Sequence, residues 1–369
     1  MDKHNKSIYP LDFEAVKDQL IEFNQFKSTE DESKHTLFYL YQQLWQPFET
    51  SITTKHVIII PDGELFNLSF ETLTPTTIKT YEELADNSLL AKYSISYNYS
   101  LFLVQDENNA ANYTENFIAF VPEFNDEMKL DYKIFIEDSL SIDKTYLTLL
   151  PQPFSLELAK SSTQLFDGTS FLNENSTKQI FKNSAKEHKI IHIGSHAESN
   201  NLSPELSRII FAKNISGEEI LEENSLYIYE IYDYNLSSNL TILTACETGK
   251  PTYQPGEGMI SLAHAFNYAG SESILTSLWK IDEKSSAEIV RLFYNKLSEG
   301  LPKDKALQQA KLEYLKSKDG RTLSPEYWAG LILIGNNSPI EIPESNSWKM
   351  WLLFIVIILG IFLLYKMKA

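Results

Sequence analysis

Cys246 and His196 are the residues of this chain whose types and settings best suit covalent chemistry. A thiolate is a strong nucleophile, and a nearby imidazole can take the proton of the thiol. Cys246 is the single cysteine of 369 residues. It closes the apolar run 239–245 (NLTILTA) and is followed by Glu247, Thr248 and Gly249. His196 comes just after a second apolar run, 189–194 (KIIHIG), with Ser195 between. Both runs are short, rich in Ile and Leu, and bounded by Gly or polar residues, as buried strands of a parallel sheet are. In open α/β sheets, functional groups gather just beyond the carboxyl ends of strands. A thiol and an imidazole meeting there form the minimal pair for acyl transfer through a thioester.

The elements that must position this pair alternate along the chain. Strands are expected at 56–61, 116–121, 189–194, 239–245, 272–278 and 330–335, and helices at 155–166, 176–187, 258–269, 283–299 and 303–317. The alternation predicts an α/β fold with a mainly parallel sheet and helices on both faces. Residues 1–50 read as a short helical N-terminal cap. Leu11 to Phe26 recur at helical spacings, the charged stretch Lys27–Lys34 interrupts them, and Leu37 opens a second helix. Residues 51–338 form the main domain, 339–347 a polar linker, and 348–369 an apolar tail. Segments 122–152 and 198–236 are less regular and suit loops, edge strands and peptide-contacting surfaces.

Other chemistries fit less well. His188, His192 and His196 are spaced by four, which on a helix would place metal ligands on one face. On a strand, residues four apart lie ~13 Å apart, and the segment lacks the glutamate of HExxH. No metal and no cofactor are expected. Ser195 reads as a loop residue and Asp62 as a turn residue. The pair Gly256 and Gly258 lacks the Lys-Ser/Thr of a phosphate loop, which argues against nucleotide binding.

The surroundings of Cys246 carry a resemblance. The run 244–249 (TACETG) resembles the cysteine motif of the caspase-like (clan CD) cysteine peptidases, in their CHAT-domain branch. The likeness continues upstream in 57–65 (VIIIPDGEL) and 68–73 (LSFETL). Downstream it continues in 256–259 (GEGM), 265–270 (AFNYAG), Leu278-Trp279, Tyr294, Ala306-Leu307 and 327–329 (YWA). The resemblance covers roughly residues 51 to 336. It implies a cysteine endopeptidase working with a dyad, Cys246 as nucleophile and His196 as base. It also implies backbone N–H groups of Cys246 and Ala197 as oxyanion donors, and a protein or peptide substrate. One position departs from the pattern: the family's His is usually followed by Gly, and Ala197 stands here. The N–H remains, while the freedom of Gly at positive φ is lost. An acidic residue recurs in the family where Asp282 stands. It either contacts substrate or caps the helix after it, and the cap is favoured. The alternative to an enzyme is a catalytically degenerate caspase-like scaffold or signalling module. A regulatory protein partner suits either reading.

Charge and hydropathy bound the rest. The net charge is −18, opposite to the basic footprint of sequence-independent nucleic-acid binding, so no nucleic acid is expected as partner. One cysteine forms no intrachain disulfide, which favours a reducing compartment. Residues 350–365 hold sixteen residues without a charge, about 24 Å as a helix. Trp348 precedes them, and Trp351 and Tyr365 lie at their two ends as interfacial residues would. A single C-terminal membrane helix is expected at 348–369, with the bilayer as a partner. The N-terminus lacks the apolar core of a signal peptide, so the catalytic domain is expected in the cytoplasm.

Overall fold

The structure is a computed structural model. It describes residues 6–24, 29–104, 113–136, 143–200, 202–215, 224–244, 252–254 and 258–342. The strands among them are β1 (His56–Ile59), β2 (Ser94–Tyr97), β3 (Glu115–Val121), β4 (Thr169–Leu172), β5 (His188–Ile193), β6 (His196–Glu198), β7 (Arg208–Ile210), β8 (Ser225–Tyr227), β9 (Leu240–Leu243), β10 (Thr252–Gln254), β11 (Gly258–Ile260), β12 (Ser273–Ser277) and β13 (Leu331–Gly335).

An eight-stranded sheet runs in the order β1-β2-β13-β12-β9-β5-β3-β4. Only the β12–β13 pairing is antiparallel; the rest are parallel. Its central strands are continuous apolar runs because both faces are covered. Two residues of β3 show the covering. Phe117 and Phe120 are three apart on one strand, so they face opposite sides. Phe117 stacks on Phe166 of helix Pro153–Phe166 and meets Tyr294 of helix Glu283–Ser298 edge-on. Phe120 meets Phe181 of helix Lys178–Ser184, which in turn contacts Phe266 of helix Leu262–Tyr268. Helices therefore lie on both faces, as the alternation of elements predicts.

All six expected strands belong to this sheet. Its other two members, β2 and β4, are additional to them. Four residues long, β2 (SISY) alternates serines with apolar residues, yet all four are buried. At the N-terminus, helices Phe13–Asn24 and Glu30–Leu44 occupy the expected helical segment. The charged stretch is no interruption from Glu30 onward. Thr29 and Glu32 form a reciprocal capping box, and Glu30, Asp31 and Glu32 fill the first turn, where the helix dipole favours acids. Val16, Leu20, Leu37, Leu40 and Leu44 join the same core as the sheet.

The single-pass membrane placement, with its bilayer partner and cytoplasmic catalytic domain, is corrected. No helix among the described residues is long and apolar enough to cross a membrane. The longest of them, Glu283–Ser298, has 16 residues and carries Glu283, Lys284, Glu288, Arg291 and Lys296. The apolar tail 348–369 lies outside the described residues.

Candidate active site

The parallel pairing of β5 with β9 brings the two candidate segments to one end of the sheet. Ile193 and Leu243 are register partners. The backbone N–H of Thr244 donates to the Ile193 carbonyl at 3.1 Å, and its hydroxyl reaches the same oxygen at 3.4 Å. Cys246, two residues further, lies outside the described residues.

Past Ile193 the chain turns tightly. A Cβ on Gly194 would stand 3.1 Å from Val121 Cγ2, 3.2 Å from His192 Nε2 and 3.3 Å from Ser155 Cβ. A side chain there would have to push these neighbours back by a few tenths of an ångström, so glycine eases the close approach of β5 to β3 and to the start of helix Pro153–Phe166. Ser195 is buried and its hydroxyl donates to the Ile210 carbonyl. That bond ties the turn to β7 and gives Ser195 a structural role.

His196 opens β6, which pairs antiparallel with β7, and β7 with β8. Its Nε2 lies 2.8 Å from the Leu150 carbonyl oxygen. A carbonyl only accepts, so Nε2 carries the proton and the neutral ring keeps its lone pair on Nδ1. Phe124 packs against the ring, with centroids 5.3 Å apart. Phe124 is fully buried with φ of 57°, a backbone conformation costly for a bulky residue and concentrated at functional sites. With Tyr132, Tyr146 and Ile210 it forms a small second core under the imidazole. Burial holds the His196 pKa below the usual imidazole value. Lys280 and Lys129 depress it further, while the Leu150 carbonyl and Glu198 oppose them. The His196 imidazole is thus held below its usual pKa and oriented by a backbone carbonyl.

Ala197 is not among the positive-φ residues, so its backbone asks nothing that only Gly supplies. Its side chain packs on the main core. The direction of its N–H is set by the ladder. Phe211 N–H donates to the Asn224 carbonyl and Ile228 N–H to the Ser207 carbonyl. In an antiparallel ladder such bonded pairs alternate, so Ile209 bonds toward β8, and Arg208 and Ile210 bond toward β6. Ala197, opposite Ile209, therefore points its N–H away from β7, toward the free edge of β6.

A cleft of about 470 Å³ opens beside β6, lined by Glu198, Asn200, Leu206, Arg208 and Tyr227 among others. Arg208 spans it. Nε and Nη2 contact Glu198 Oε2 at 2.9 and 2.8 Å, and Nη1 donates to Ser225 and Tyr227.

Asp282 is the N-cap of helix Glu283–Ser298: its Oδ1 accepts from the Ser285 N–H and hydroxyl, each at 2.9 Å. His192 sits in the core, bonded through Nδ1 to the Tyr294 hydroxyl at 2.8 Å, and burial lowers its pKa to about 3. His188 bonds the Lys186 carbonyl. The three histidines spaced by four thus occupy three separate settings. Among the described residues no group of His, Cys, Asp or Glu could hold a metal ion. The Leu150 carbonyl is invisible to sequence reasoning because every residue carries one. The Phe124 contact requires the tertiary fold.

The CHAT domain family model matches residues 34–336 of this chain. The chain belongs to the CHAT domain family. This agrees with the resemblance carried by the Cys246 run. Tetratricopeptide repeat protein 28 of Homo sapiens is 30% identical over 133 residues, 36% of this chain and 5% of its own length. The Mus musculus protein of the same name is 30% identical over 135 residues, with the same coverage. The CHAT chain therefore matches only a small part of these curated relatives. The crystal structure of the Arg-specific cysteine proteinase gingipain R aligns at 9% identity with a TM-score of 0.48, covering 89% of this chain and 76% of that one. The Saccharomyces cerevisiae separase–securin complex aligns at 14% identity with a TM-score of 0.44, covering 80% and 16%. Likenesses this remote bear on neither activity nor substrate.

Proposed function

We propose that this CHAT domain is a caspase-like cysteine endopeptidase, with Cys246 as nucleophile and His196 as general base. The observation that carries the reading is the register of β5 and β9. Ile193 faces Leu243. His196 stands three residues past the first, and Cys246 three residues past the second. Paired strands stand about 4.8 Å apart, so the two segments that carry the candidates leave the sheet side by side, each three residues before its candidate.

His196 takes the proton of the Cys246 thiol through Nδ1. The thiolate attacks the scissile carbonyl carbon, and the Ala197 and Cys246 N–H groups hold the oxyanion. Collapse of the tetrahedral species expels the amine, which His196 protonates, leaving a thioester. Water, deprotonated by His196, then releases the acid and restores the thiol. Residues 51–338 are the peptidase domain in this reading, 1–50 its helical cap and 339–347 a linker. Incubating the full chain with a peptide library beside Cys246→Ala tests it. Cleavage by the wild type alone supports the peptidase.

A second reading, a caspase-like scaffold without peptidase activity, draws on the relatives, whose name describes repeats and no peptidase. Under it, Cys246 has ordinary thiol reactivity and His196 does not influence it.

A further inference from the structure

The eight-stranded sheet ends in β1 on one side and β4 on the other. Among the described strands, β1 pairs with β2 alone, in parallel. The Ser94 N–H donates to the Lys55 carbonyl and the Asn98 N–H to the Ile59 carbonyl, each at 2.9 Å. In a parallel ladder the bonded residues of a strand alternate, so residues 55, 57 and 59 bond toward β2. His56, Ile58 and Ile60 therefore turn their backbone N–H and C=O groups outward. Among the described residues, the His56 N–H alone of these groups has a partner, the Thr54 hydroxyl at 3.1 Å. The edge is also apolar and open: Ile58 and Ile60 are 38% and 39% exposed. Exposed Leu101, Phe102 and Leu103 stand beside its end, because Asn98, bonded to Ile59, also donates its amide to the Leu103 carbonyl at 3.4 Å. The strand is held in place from behind, where His56 Nδ1 lies 2.7 Å from Oδ2 of Asp304, at the start of helix Lys303–Ser317.

Strand edges are commonly guarded by lysine, acids or proline, and residues 56–60 (HVIII) hold none of these. Charges stand at the two ends instead. Lys55 precedes the strand and Asp62 follows it. Both are exposed, and among the described residues neither has an ion-pair partner. Antiparallel pairing brings the start of one strand beside the end of the other. Two β1 edges related by a twofold axis at Ile58 therefore set the Lys55 of each copy beside the Asp62 of the other. The opposite edge behaves differently. Exposed Asp167 precedes β4 and exposed Glu174 follows it, so the same operation there would bring acid against acid.

We infer that β1 is a docking edge for a second copy of this chain, the two β1 strands pairing antiparallel as an isologous interface. Ile58 then faces its own counterpart and His56 faces Ile60, which matches all the outward backbone groups of the edge. The two eight-stranded sheets become one continuous sheet. On a chain of net charge −18, copies repel one another in general, and this edge is a place where their charges are complementary. Three strands, β2, β13 and β12, stand between β1 and β9, and the inference uses no residue of the proposed peptidase site.

Sedimentation velocity of the full chain, from about 1 to about 100 μM, tests it. The expected result is a monomer–dimer equilibrium. Ile58→Lys sets like charges face to face and should raise the dissociation constant about tenfold, with circular dichroism confirming the fold. Lys55→Glu and Asp62→Lys should each weaken association about threefold, the scale of exposed charge contacts. An equal mixture of these two variants should associate as the wild type does, because each cross-pair then joins opposite charges. A monomer at every concentration overturns the inference. So does association that Ile58→Lys leaves unchanged, since it would belong to another surface. A mixture that associates no better than its separate components also overturns it, because the antiparallel register requires the rescue.

Discussion

Ile193 and Leu243 face each other on adjacent parallel strands, and each stands three residues before a member of the proposed dyad. This pairing brings two distant stretches of sequence to one end of the sheet. The His196 imidazole is packed against Phe124 and held by the Leu150 carbonyl.

Ala197 gives the first prediction. Its N–H points to the free edge of β6 and its backbone is not left-handed, so the side chain should be tolerated. Ala197→Gly should leave kcat within about twofold. Ala197→Pro removes the N–H, and the loss of an oxyanion donor lowers turnover on the order of 10²–10³. Steady-state kinetics with folding checked by circular dichroism decides it. A folded Ala197→Pro at wild-type turnover would place the oxyanion hole elsewhere.

Asp282 separates a cap from a substrate contact. Asp282→Ala should cost about 1 kcal/mol of stability, and Asp282→Ser, which preserves a capping oxygen, should cost much less. Both stability and turnover should survive in the Ser variant if the cap is the whole role. A stable Ser variant with reduced turnover would instead make Asp282 a substrate contact.

The resemblance and the strand pattern made the sheet and the order of its elements along the chain legible in the sequence, while Cys246 lies outside the described residues. What escaped has physical reasons. Ser94 and Ser96 are weak strand formers, so β2 is recognised only by its partners β1 and β13. Residues 122–136 look irregular because Phe124 takes a left-handed turn before a ten-residue helix. The small sheet β6–β8 consists of three-residue strands, too short for any periodicity to register.

The buried pair Glu71–Lys311 gives a stability prediction. Lys311 also donates to the Leu331 carbonyl, joining helix Lys303–Ser317 to β13. Burial raises the Glu71 pKa and lowers that of Lys311, each opposed by the other's charge. Lys311→Met alone strands a buried carboxylate and should cost about 3–5 kcal/mol in denaturant unfolding. Adding Glu71→Gln should recover much of that loss. A single variant as stable as the wild type would show that the pair is not closed to water.

His192 predicts acid sensitivity. Its folded pKa, about 3, lies below the ordinary value of 6.5, so the unfolded chain binds a proton that the native core refuses. The stability it leaves intact is full above pH ~6.5 and is lost progressively as the pH falls toward 3. His192→Gln should therefore narrow the gap between urea midpoints at pH 7 and pH 4. An unchanged gap would mean that the ring is protonated in the folded state.

The dyad itself is tested most directly through the thiol, because Cys246 is the single cysteine and its alkylation is unambiguous by intact mass. The rate of modification by iodoacetamide is measured against pH in the wild type and in His196→Ala. The account predicts a wild-type thiol pKa below the ordinary ~8.5. At pH 7 the rate should then fall about tenfold in His196→Ala, with the pKa returning toward 8.5. Cys246→Ala and His196→Ala should each abolish peptide cleavage, and the double variant should be no worse than either. Identical alkylation profiles in the wild type and His196→Ala would contradict the account, leaving a CHAT fold whose cysteine has no base.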